Sequence, residues 1–571
     1  MNHLLAISVG PVQEFIAAAR RTRDLWFGSY LLSEISKAVA NSVKDNGGKL
    51  IFPHPDTNLT SGDDKVNVAN IILAEIPVDE PKDVAANANL AAQKRWHEFA
   101  SEARKEASGV IRTEIWDEQV DDVIEFHAAW TACSGNYKDD RAKVMRLLAG
   151  RKNLRDFQAA FGRAGVPKSS LDGQRESILK DPTKERWPER FRTRLRVREG
   201  EQLDVVGFVK RVAGGNQSYP SVSRIAADPW IRANRDKPAF KTILELCKEL
   251  PGEVLHRLNE TVFPQFQDFP FEGTAIYRSR HHEWEEEIDD SDRVSLGDLQ
   301  DELTRLPVPS PYLAVLVADG DRMGAAISAL GDVNAHRNFS CTLAGFVTTA
   351  RSIVNNYNGV LVYAGGDDVL AFLPVDKCLS CARELRDQFV ECLKPCVPIN
   401  TPTLSVGIAI GHFMDNLEDL LNYGRTAERA AKKVEGKDAL AVHLHKRGGS
   451  PIRIADRWGN SPEKRLLKFA SLMNQGIIPT KLPYELRPMA KLYERWTDNT
   501  DTAIQQDLYR LIAKKSSRGI ETVRKELATE LQGMDSNKLI SLAQELLVAR
   551  QLARVLKQET RQSAATEEVL S

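Results

Sequence analysis

The feature that most constrains the fold is a short acidic hairpin in the second half of the chain. Gly365-Gly366-Asp367-Asp368 stands between two apolar runs, residues 360–364 and 369–374. The pattern predicts two strands joined by a tight turn, because glycine permits positive φ and close backbone approach. Adjacent carboxylates at the tip repel each other unless a cation is present, and oxygen ligands favour Mg²⁺ or Mn²⁺. A solvated turn is the alternative on these residues alone.

A second acidic segment makes the metal site the better interpretation. Asp319 stands where an apolar run, residues 313–318, ends, and Asp321 follows two residues later near a helix start. In a βαββαβ sheet the end of the first strand lies beside the hairpin of the second and third strands. We therefore expect Asp319 to meet Asp367 and Asp368 around one cation. A helix N-cap explains Asp321 slightly better than direct ligation does.

The order of strands and helices predicts an α+β chain with two ferredoxin-like (βαββαβ) palm domains. The hairpin lies in a strand-helix-strand-strand-helix-strand series with an added helix and strand. The N-terminal part reads as the start of a similar unit, whereas the remainder is mainly helical. The predicted domains are a first palm at residues 1–110, a helical domain with linker at 111–300, a second palm at 301–450 and a C-terminal helical domain at 451–571.

Composition excludes several function classes. The 571 residues contain 78 Lys and Arg against 79 Asp and Glu, so a generally basic nucleic-acid-binding surface is excluded. No apolar run approaches the roughly 20 residues that a membrane helix needs. The N-terminal residues lack the basic region and cleavage site of a secretion signal. Seven cysteines fit a reducing compartment, so we expect a cytoplasmic protein without membrane contact.

Carboxylates at the end of a palm-type sheet indicate nucleotidyl transfer. One cation lowers the pKa of an attacking 3′-hydroxyl, and a second neutralises the leaving pyrophosphate. Four separated motifs then resemble a known family. The first motif, the hairpin together with the preceding LVADGDRMG, resembles the polymerase/cyclase palm in the large subunit of type III CRISPR effector complexes. Residues 7–38 resemble the III-B (Cmr) version of that subunit more closely still. Residues 200–211 and 219–230 are also similar to this family, and the resemblance spans about residues 1–450.

The resemblance implies two palms that face each other, with an ATP in each. It implies 3′–5′ joining of ATP into cyclic oligoadenylates when target RNA is bound, in a complex with other Cmr-type subunits and CRISPR RNA. Asp367, Asp368 and Asp319 would be the catalytic metal ligands. The first palm, which lacks a carboxylate hairpin, would bind nucleotide without organising metals. The expected substrate-binding positions are Gly365, Gly366, Gly320, Asp321, Ser405, Gly407, Lys432, Lys433, Gly10 and Gln13.

Several features leave alternatives open. Lys432 or Lys433 is a candidate phosphate contact, and a solvated helix end explains them equally well. Cys378, Cys381, Cys392 and Cys396 have zinc-like spacing, but their helical periodicity favours a packing helix. The basic segment at residues 184–198 could contact RNA or a partner subunit, or form an ordinary charged surface. The acidic run at residues 283–292 reads as a solvated linker.

Two further expectations concern activity. Many relatives begin with an HD nuclease domain, but here the palm motif starts at residue 7 and none of the eleven histidines precedes an aspartate, so we expect no HD-type DNase activity. A non-catalytic nucleotide-binding scaffold is the alternative to an oligoadenylate synthase. A diguanylate-cyclase-like enzyme is a third option. The second palm, the GGDD sequence and the lack of a sensor domain disfavour it.

Overall fold

A computed structural model gives the fold of most of the chain. Residues 1, 63–66, 78, 108, 155–161, 182–186, 188–190, 192–194, 196, 215–218, 253, 285–289, 495, 497–499, 517–518 and 570–571 lie outside the described part, as do the side chains of 290–291 and 557–569. Most of the basic segment at residues 184–198 and half of the acidic run at 283–292 therefore lie outside it. Trp187 and Phe191 of the basic segment are described and pack edge to face.

The first sheet has four antiparallel strands in the order β2-β3-β1-β4. Helices α1 and α2 follow β1, α3 and α4 follow β3, and α5 follows β4 and packs on it. The elements are β1 (His3–Gly10), α1 (Gln13–Ala17), α2 (Thr22–Asp45), β2 (Lys49–Phe52), β3 (Ile71–Ile76), α3 (Pro81–Glu106), α4 (Thr113–Val120), β4 (Glu125–Ala132) and α5 (Tyr137–Asn153).

The predicted end of the first palm at residue 110 is wrong, because the fourth strand lies beyond it. Strand β4 pairs with β1 along its whole length, from Glu125 opposite Gly10 to Ala132 opposite His3. The sequence pattern did not predict this strand, because most of its residues are only half-buried or exposed and its side chains are mixed in polarity. The first βαββαβ unit is complete only with this strand.

The helical region that follows connects the two sheets. Several of its helices begin at side-chain caps: the Asp204 carboxylate accepts a 2.9 Å hydrogen bond from Gly207 N–H, and Ser221 Oγ accepts one of 3.2 Å from Arg224 N–H. The helices are α6 (Val205–Val212), α7 (Val222–Asn234), α8 (Pro238–Glu249) and α9 (Asp290–Thr304), with short 3₁₀ turns between α8 and α9.

The second sheet has six strands in the order β10-β9-β8-β5-β7-β6, and its β6-β7-β5-β8 part repeats the strand order of the first sheet. Among the described strands, the β8–β9 pair alone is parallel. The elements are β5 (Tyr312–Asp321), α10 (Met323–Ala329), α11 (Val333–Asn356), β6 (Val360–Ala364), β7 (Val369–Leu373), α12 (Cys378–Leu393), β8 (Thr403–His412), α13 (Leu417–Lys433), β9 (Ala439–Leu444) and β10 (Ile452–Arg457). The predicted two-palm α+β architecture is confirmed.

The predicted start of the helical C-terminal domain at residue 451 is also wrong. Strand β10 pairs antiparallel with β9 over six residues and forms one edge of the second sheet. Its residues alternate between half-buried and exposed, so the segment lacks the continuous apolar run of an inner strand. Helices α14 (Pro462–Asn474), α15 (Leu482–Tyr493), α16 (Thr500–Lys515), α17 (Ile520–Leu527) and α18 (Ser536–Val569) follow.

The second sheet is buried on both faces. Leu313 and Val315 of β5 belong to a core that also contains the first palm and the helical region. Ala314 and Leu316 face the opposite core, which includes α11, α12 and the C-terminal helices. This double burial makes β5 a rigid support for the residues at its end. In the described part of the chain, no helix combines the length and apolarity needed to cross a bilayer.

Candidate functional site

The structure brings three aspartates together at one end of the second sheet. Asp319 lies near the end of β5, and Asp367 and Asp368 form the tip of the β6–β7 hairpin. One carboxylate oxygen of each residue lies within 4.8 Å of the other two. The main chain joins the two segments, because Gly320 N–H donates a 3.1 Å hydrogen bond to the Asp367 carbonyl. Among the described residues, this aspartate triad is the one group of His, Cys, Asp and Glu close enough to share a metal ion.

Glycines allow this close approach. A Cβ at Gly320 would lie 2.8 Å from the Cβ of Asp367, too near for any other residue without movement. Gly366 has a φ of +105°, which an L side chain rarely adopts. Gly365 N–H donates a 3.0 Å hydrogen bond to the Asp368 carbonyl, and a Cβ there would meet the Tyr363 hydroxyl. The Gly-Gly pair therefore shapes the turn that presents both carboxylates.

The triad is a concentrated negative charge in a partly desolvated place. Burial and the neighbouring Asp368 raise the pKa of Asp367 to about 6, and burial raises the pKa of Asp368. Burial and the charge of Asp368 also raise the pKa of Glu428 on α13. A divalent cation would relieve this repulsion, and a donor set made only of oxygen atoms suits Mg²⁺ or Mn²⁺. The residues present therefore fit the expected metal.

Helix α13 brings positive charge to the triad. The Lys432 ammonium group forms an ion pair with the Asp319 carboxylate and lies 3.8 Å from Glu428. Burial and the charge of Lys437 lower the pKa of Lys432 to about 8. Of the two lysines considered as phosphate contacts, Lys432 is thus the one at the site, whereas Lys433 is exposed on α13.

Asp321 has neither of the roles predicted for it. It is fully buried at the end of β5, so it cannot contact a substrate. It is not a helix N-cap either, because Arg322 precedes α10 and the helix has no side-chain cap. Its carboxylate accepts hydrogen bonds from Ser405 Oγ at 2.8 Å, Thr403 Oγ1 at 2.9 Å and Asp438 N–H at 3.0 Å. Ser405, also fully buried, is therefore a support for Asp321 and does not line a substrate site.

Gly407 is a packing position. It lies in β8 beneath α13, and a Cβ there would collide with the main chain of Ala427 and Glu428. The absent side chain lets α13 lie close to the sheet. Gly407 consequently controls the position of the helix that carries Glu428 and Lys432, and the prediction that it contacts nucleotide is wrong.

Gly10 and Gln13, the substrate-binding positions predicted in the first palm, lie in the part of that palm that faces α13. Gly10 ends β1 opposite Glu125, and Gln13 begins α1 with an exposed side chain. The carbonyl of Gln13 accepts a 3.5 Å hydrogen bond from Arg425, halfway along α13. The two palms thus contact each other through the helix that also reaches the triad.

Two charged residues near the triad, Glu428 and Lys437, were not predicted from the sequence. Glu428 precedes Lys432 by four residues on α13, a spacing that places both on one helix face and could have revealed it. Lys437 follows in the loop, close enough for its charge to lower the pKa of Lys432, and no sequence pattern marks it. Cys378 and Cys381 lie on the buried face of α12, and the Cys378 thiol donates to the Val375 carbonyl. In the part of the chain that the structure describes, the cysteines belong to no group of side chains close enough to share a metal ion.

Comparison with known proteins gives matches to both palms. The family model described as Cas10/Cmr2, second palm domain, matches residues 312–441, and the model of the N-terminal part of the CRISPR-associated protein Cmr2 matches residues 4–101. The CRISPR system Cmr subunit Cmr2 of Pyrococcus furiosus is 26% identical over 548 residues, with 78% of this chain and 62% of that protein aligned. The chain thus spans about three fifths of that relative's length.

Solved structures share the fold. The Type III-B Cmr-beta structure in the apo state has a TM-score of 0.64 and 14% identity, covering 90% of this chain and 77% of that one. The Cmr-beta structure bound to cognate target RNA has a TM-score of 0.63 and 13% identity, covering 90% and 79%. At these identities the likeness concerns the fold alone. The matches to both palms, together with the relative aligned across most of the chain, support a resemblance of this protein to the Cas10/Cmr2 subunits of type III-B CRISPR complexes.

Proposed function

We propose that this chain is the catalytic large subunit of a type III-B CRISPR effector complex and converts ATP into cyclic oligoadenylates when target RNA is bound. The observation that carries the proposal is the convergence of Asp319, Asp367 and Asp368 within 4.8 Å at the end of a palm sheet. The similarity to the Cmr2 subunit of Pyrococcus furiosus supports it, and so does the match to a Cas10/Cmr2 second palm domain.

The proposed reaction is 3′–5′ nucleotidyl transfer. The 3′-hydroxyl oxygen of one ATP attacks the α-phosphorus of another, the bond to the β-phosphate breaks, and pyrophosphate leaves with that electron pair while the hydroxyl proton passes to solvent. A divalent cation supplies charge neutralisation and a lowered pKa for the hydroxyl when it is bound. The three aspartates would hold Mg²⁺ or Mn²⁺.

The chain's other residues bind and orient the nucleotide in this proposal. Gly365 and Gly366 leave the hairpin tip without side chains, so a triphosphate can approach the main chain. Lys432 offers an ammonium group beside Asp319 that can contact a phosphate oxygen. A second ATP would lie near Gly10 and Gln13 of the first palm.

The surroundings of the reaction are also part of the proposal. The partners are other Cmr-type subunits, CRISPR RNA and target RNA, and the location is the cytoplasm. HD-type nuclease chemistry needs adjacent His and Asp, and none of the eleven histidines precedes an aspartate. Incubation with single-stranded DNA and Mn²⁺ or Ni²⁺ should therefore leave the DNA intact. Metal-dependent cleavage that survives Asp367→Ala would refute this expectation.

The catalytic assignment is tested with the assembled complex. With target RNA, ATP and Mg²⁺, the wild-type complex should yield oligoadenylates detectable by mass spectrometry, and the Asp367→Ala/Asp368→Ala variant should yield none. Equal product from both would contradict the role of the triad. A wild-type complex that binds ATP without forming product would favour the scaffold alternative. GTP as sole substrate separates this activity from that of a diguanylate cyclase.

A further inference from the structure

A strained turn lies directly beside the aspartate triad. After α13 the chain passes through Gly436, Lys437 and Asp438, which have φ values of +80°, +57° and +50°. Left-handed backbone is unfavourable at a residue with a side chain, so two such residues in succession need support from their surroundings. Such strain is often found at functional sites. The residue facing the turn, Arg322, is itself left-handed and donates a 3.3 Å hydrogen bond to the Gly436 carbonyl.

Three groups hold Asp438 in this conformation. Its carboxylate accepts two hydrogen bonds from Arg386 on α12, at 2.8 and 2.6 Å, in a bidentate arrangement. Its carbonyl accepts a 2.9 Å hydrogen bond from Trp458 N–H. Its own N–H donates to the buried Asp321 carboxylate at 3.0 Å. The turn is thus held by hydrogen bonds from helix α12, from the residue after β10 and to Asp321 of β5.

Asp321 is the central member of this network. Asp319, the member of the triad that lies on β5, is followed two residues later on the same strand by Asp321. The Asp321 carboxylate anchors the turn. The hydroxyls of Thr403 and Ser405 complete its hydrogen bonds from β8. Because a buried carboxylate that loses its donors is costly, this geometry resists displacement.

We propose that the hydrogen-bond network of Asp321, Asp438 and Arg386 is a positioning device for the triphosphate, holding the strained turn so that Lys432 and Lys437 face the aspartate triad. The proposal rests on the proposed function, because it takes ATP as the ligand. Lys432 lies in the last turn of α13 and Lys437 within the strained turn, close enough for its charge to act on Lys432, so the placement of both ammonium groups depends on how the turn is held. The C-terminal end of α13 carries partial negative charge, which would repel a triphosphate unless these cations offset it.

The test compares two binding equilibria in the full-length chain. One is the affinity for a non-hydrolysable ATP analogue with Mg²⁺, measured by calorimetry, and the other is the affinity for Mn²⁺ alone, measured by electron paramagnetic resonance. The Arg386→Ala and Asp321→Ala variants loosen the turn from opposite sides. We expect about tenfold weaker analogue binding in both, with Mn²⁺ affinity changed less than about twofold.

Two further variants sharpen the comparison. Asp321→Asn keeps an acceptor for Asp438 N–H and should restore most of the analogue affinity. Arg465→Ala removes an arginine of similar exposure that pairs with Asp456 and Glu545 away from the turn, and should bind the analogue like the wild type. If Asp321→Ala does not fold, the result for Arg386→Ala decides the test. We expect this variant to fold because the Arg386 side chain is one-fifth exposed at the surface.

The outcomes separate the two proposals. Wild-type analogue affinity in Arg386→Ala and Asp321→Ala would overturn the positioning role and leave the proposed function intact. Equal losses of analogue and Mn²⁺ binding would also overturn it, since the network would then support the triad and not the lysines. A wild-type chain that does not bind the analogue would contradict the proposed function, and with it the positioning role.

Discussion

The hydroxyl group of Tyr219 donates a 2.8 Å hydrogen bond to the main-chain carbonyl of Leu361, entirely within the protein interior. Leu361 lies in β6 at the point where the pairing with β7 shifts register, four residues before the hairpin tip begins. Tyr219 also stacks on Trp26 of α2, with ring centroids 5.3 Å apart. The first palm and the helical region therefore contact the strand that leads into the acidic hairpin.

Helix α7 contacts the chain at both ends of the same hairpin. Arg232 donates a 2.7 Å hydrogen bond to Asp376 after β7. Asn358 before β6 donates to the Asp228 carboxylate at 3.3 Å. Rigid support of this kind is what precise placement of metal ligands requires.

We expect Tyr219→Phe to reduce both stability and nucleotidyl transfer. The substitution leaves the Leu361 carbonyl buried without a donor, which costs about 1–3 kcal/mol of unfolding free energy. Thermal unfolding and the rate of oligoadenylate formation measure the two effects. Tyr277→Phe is the matched control, because its hydroxyl donates an equal 2.8 Å bond to Ser310 outside the hairpin. If both variants lost stability and kept full activity, the link from Tyr219 to the hairpin tip would be disproved.

Gly407→Ala should displace helix α13 from the sheet. The new Cβ would overlap the main chain at Glu428, so helix or strand must move. Overpacking of this kind costs about 1–3 kcal/mol or more, and the movement should also weaken ATP binding because Lys432 lies one turn further along α13. Denaturant unfolding and calorimetric titration measure these two losses.

Gly345→Ala provides the comparison for that substitution. Gly345 is exposed in α11, and a Cβ there would meet nothing within 4 Å. We expect this change to stabilise the chain by about 0.5–1 kcal/mol through helix propensity. Equal stability changes at the two glycines would contradict the packing role of Gly407.

Much of the fold could be predicted from the sequence, because strands buried on both faces leave continuous apolar runs. Strands β5, β6 and β7 are of this kind, and the hairpin between the last two was visible from its Gly-Gly pair. Strands β4 and β10 were missed because both lie at sheet edges and expose alternate or mixed side chains. The two misplaced domain boundaries follow directly from these edge strands.

Only part of the candidate site could be predicted from the sequence, and the reason is not the one that applies to the edge strands. The convergence of Asp319 with the hairpin follows from strand order alone, which sequence pattern reveals. The burial of Asp321 depends on hydroxyl groups of β8 and on a turn that follows β8 by more than twenty residues. Sequence places Asp321 two residues after Asp319 but does not show which way its side chain faces.

Acid should destabilise the fold through the buried His281. Burial, with a contribution from Arg278, lowers the pKa of His281 to about 4. The unfolded chain has a histidine pKa near 6.5, so it binds the proton more readily than the folded chain does. This stabilisation is fully present above about pH 6.5 and is lost as the pH falls towards 4, amounting to on the order of 3 kcal/mol.

The His281→Phe variant isolates this effect. Phenylalanine keeps a ring to stack on Trp284, as His281 does at 5.0 Å, but cannot bind a proton. We expect its unfolding temperature to fall less steeply than that of the wild type between pH 6.5 and 4. His282→Phe, at the exposed next position, should leave the slope unchanged. Identical pH profiles for wild type and His281→Phe would contradict the assignment.

Divalent cations should stabilise the wild-type chain through the aspartate triad. A ligand that binds only the folded state adds about 2.7 kcal/mol when present at 100 times its Kd. Asp368→Asn removes one of the adjacent charges, so the variant should unfold at a higher temperature than the wild type in EDTA. Adding Mn²⁺ or Mg²⁺ should then raise the unfolding temperature of the wild type and leave that of Asp368→Asn nearly unchanged.

Asp501→Asn serves as the control for this comparison, because Asp501 is exposed at the start of α16. Its unfolding temperature should respond to Mn²⁺ as the wild type does, since a single surface charge in water contributes little. The opposite signs expected for Asp368→Asn, more stable without metal and less stable with it, distinguish relief of repulsion from general damage. A variant destabilised in both conditions would show that Asp368 supports the hairpin by hydrogen bonding and not by holding a cation.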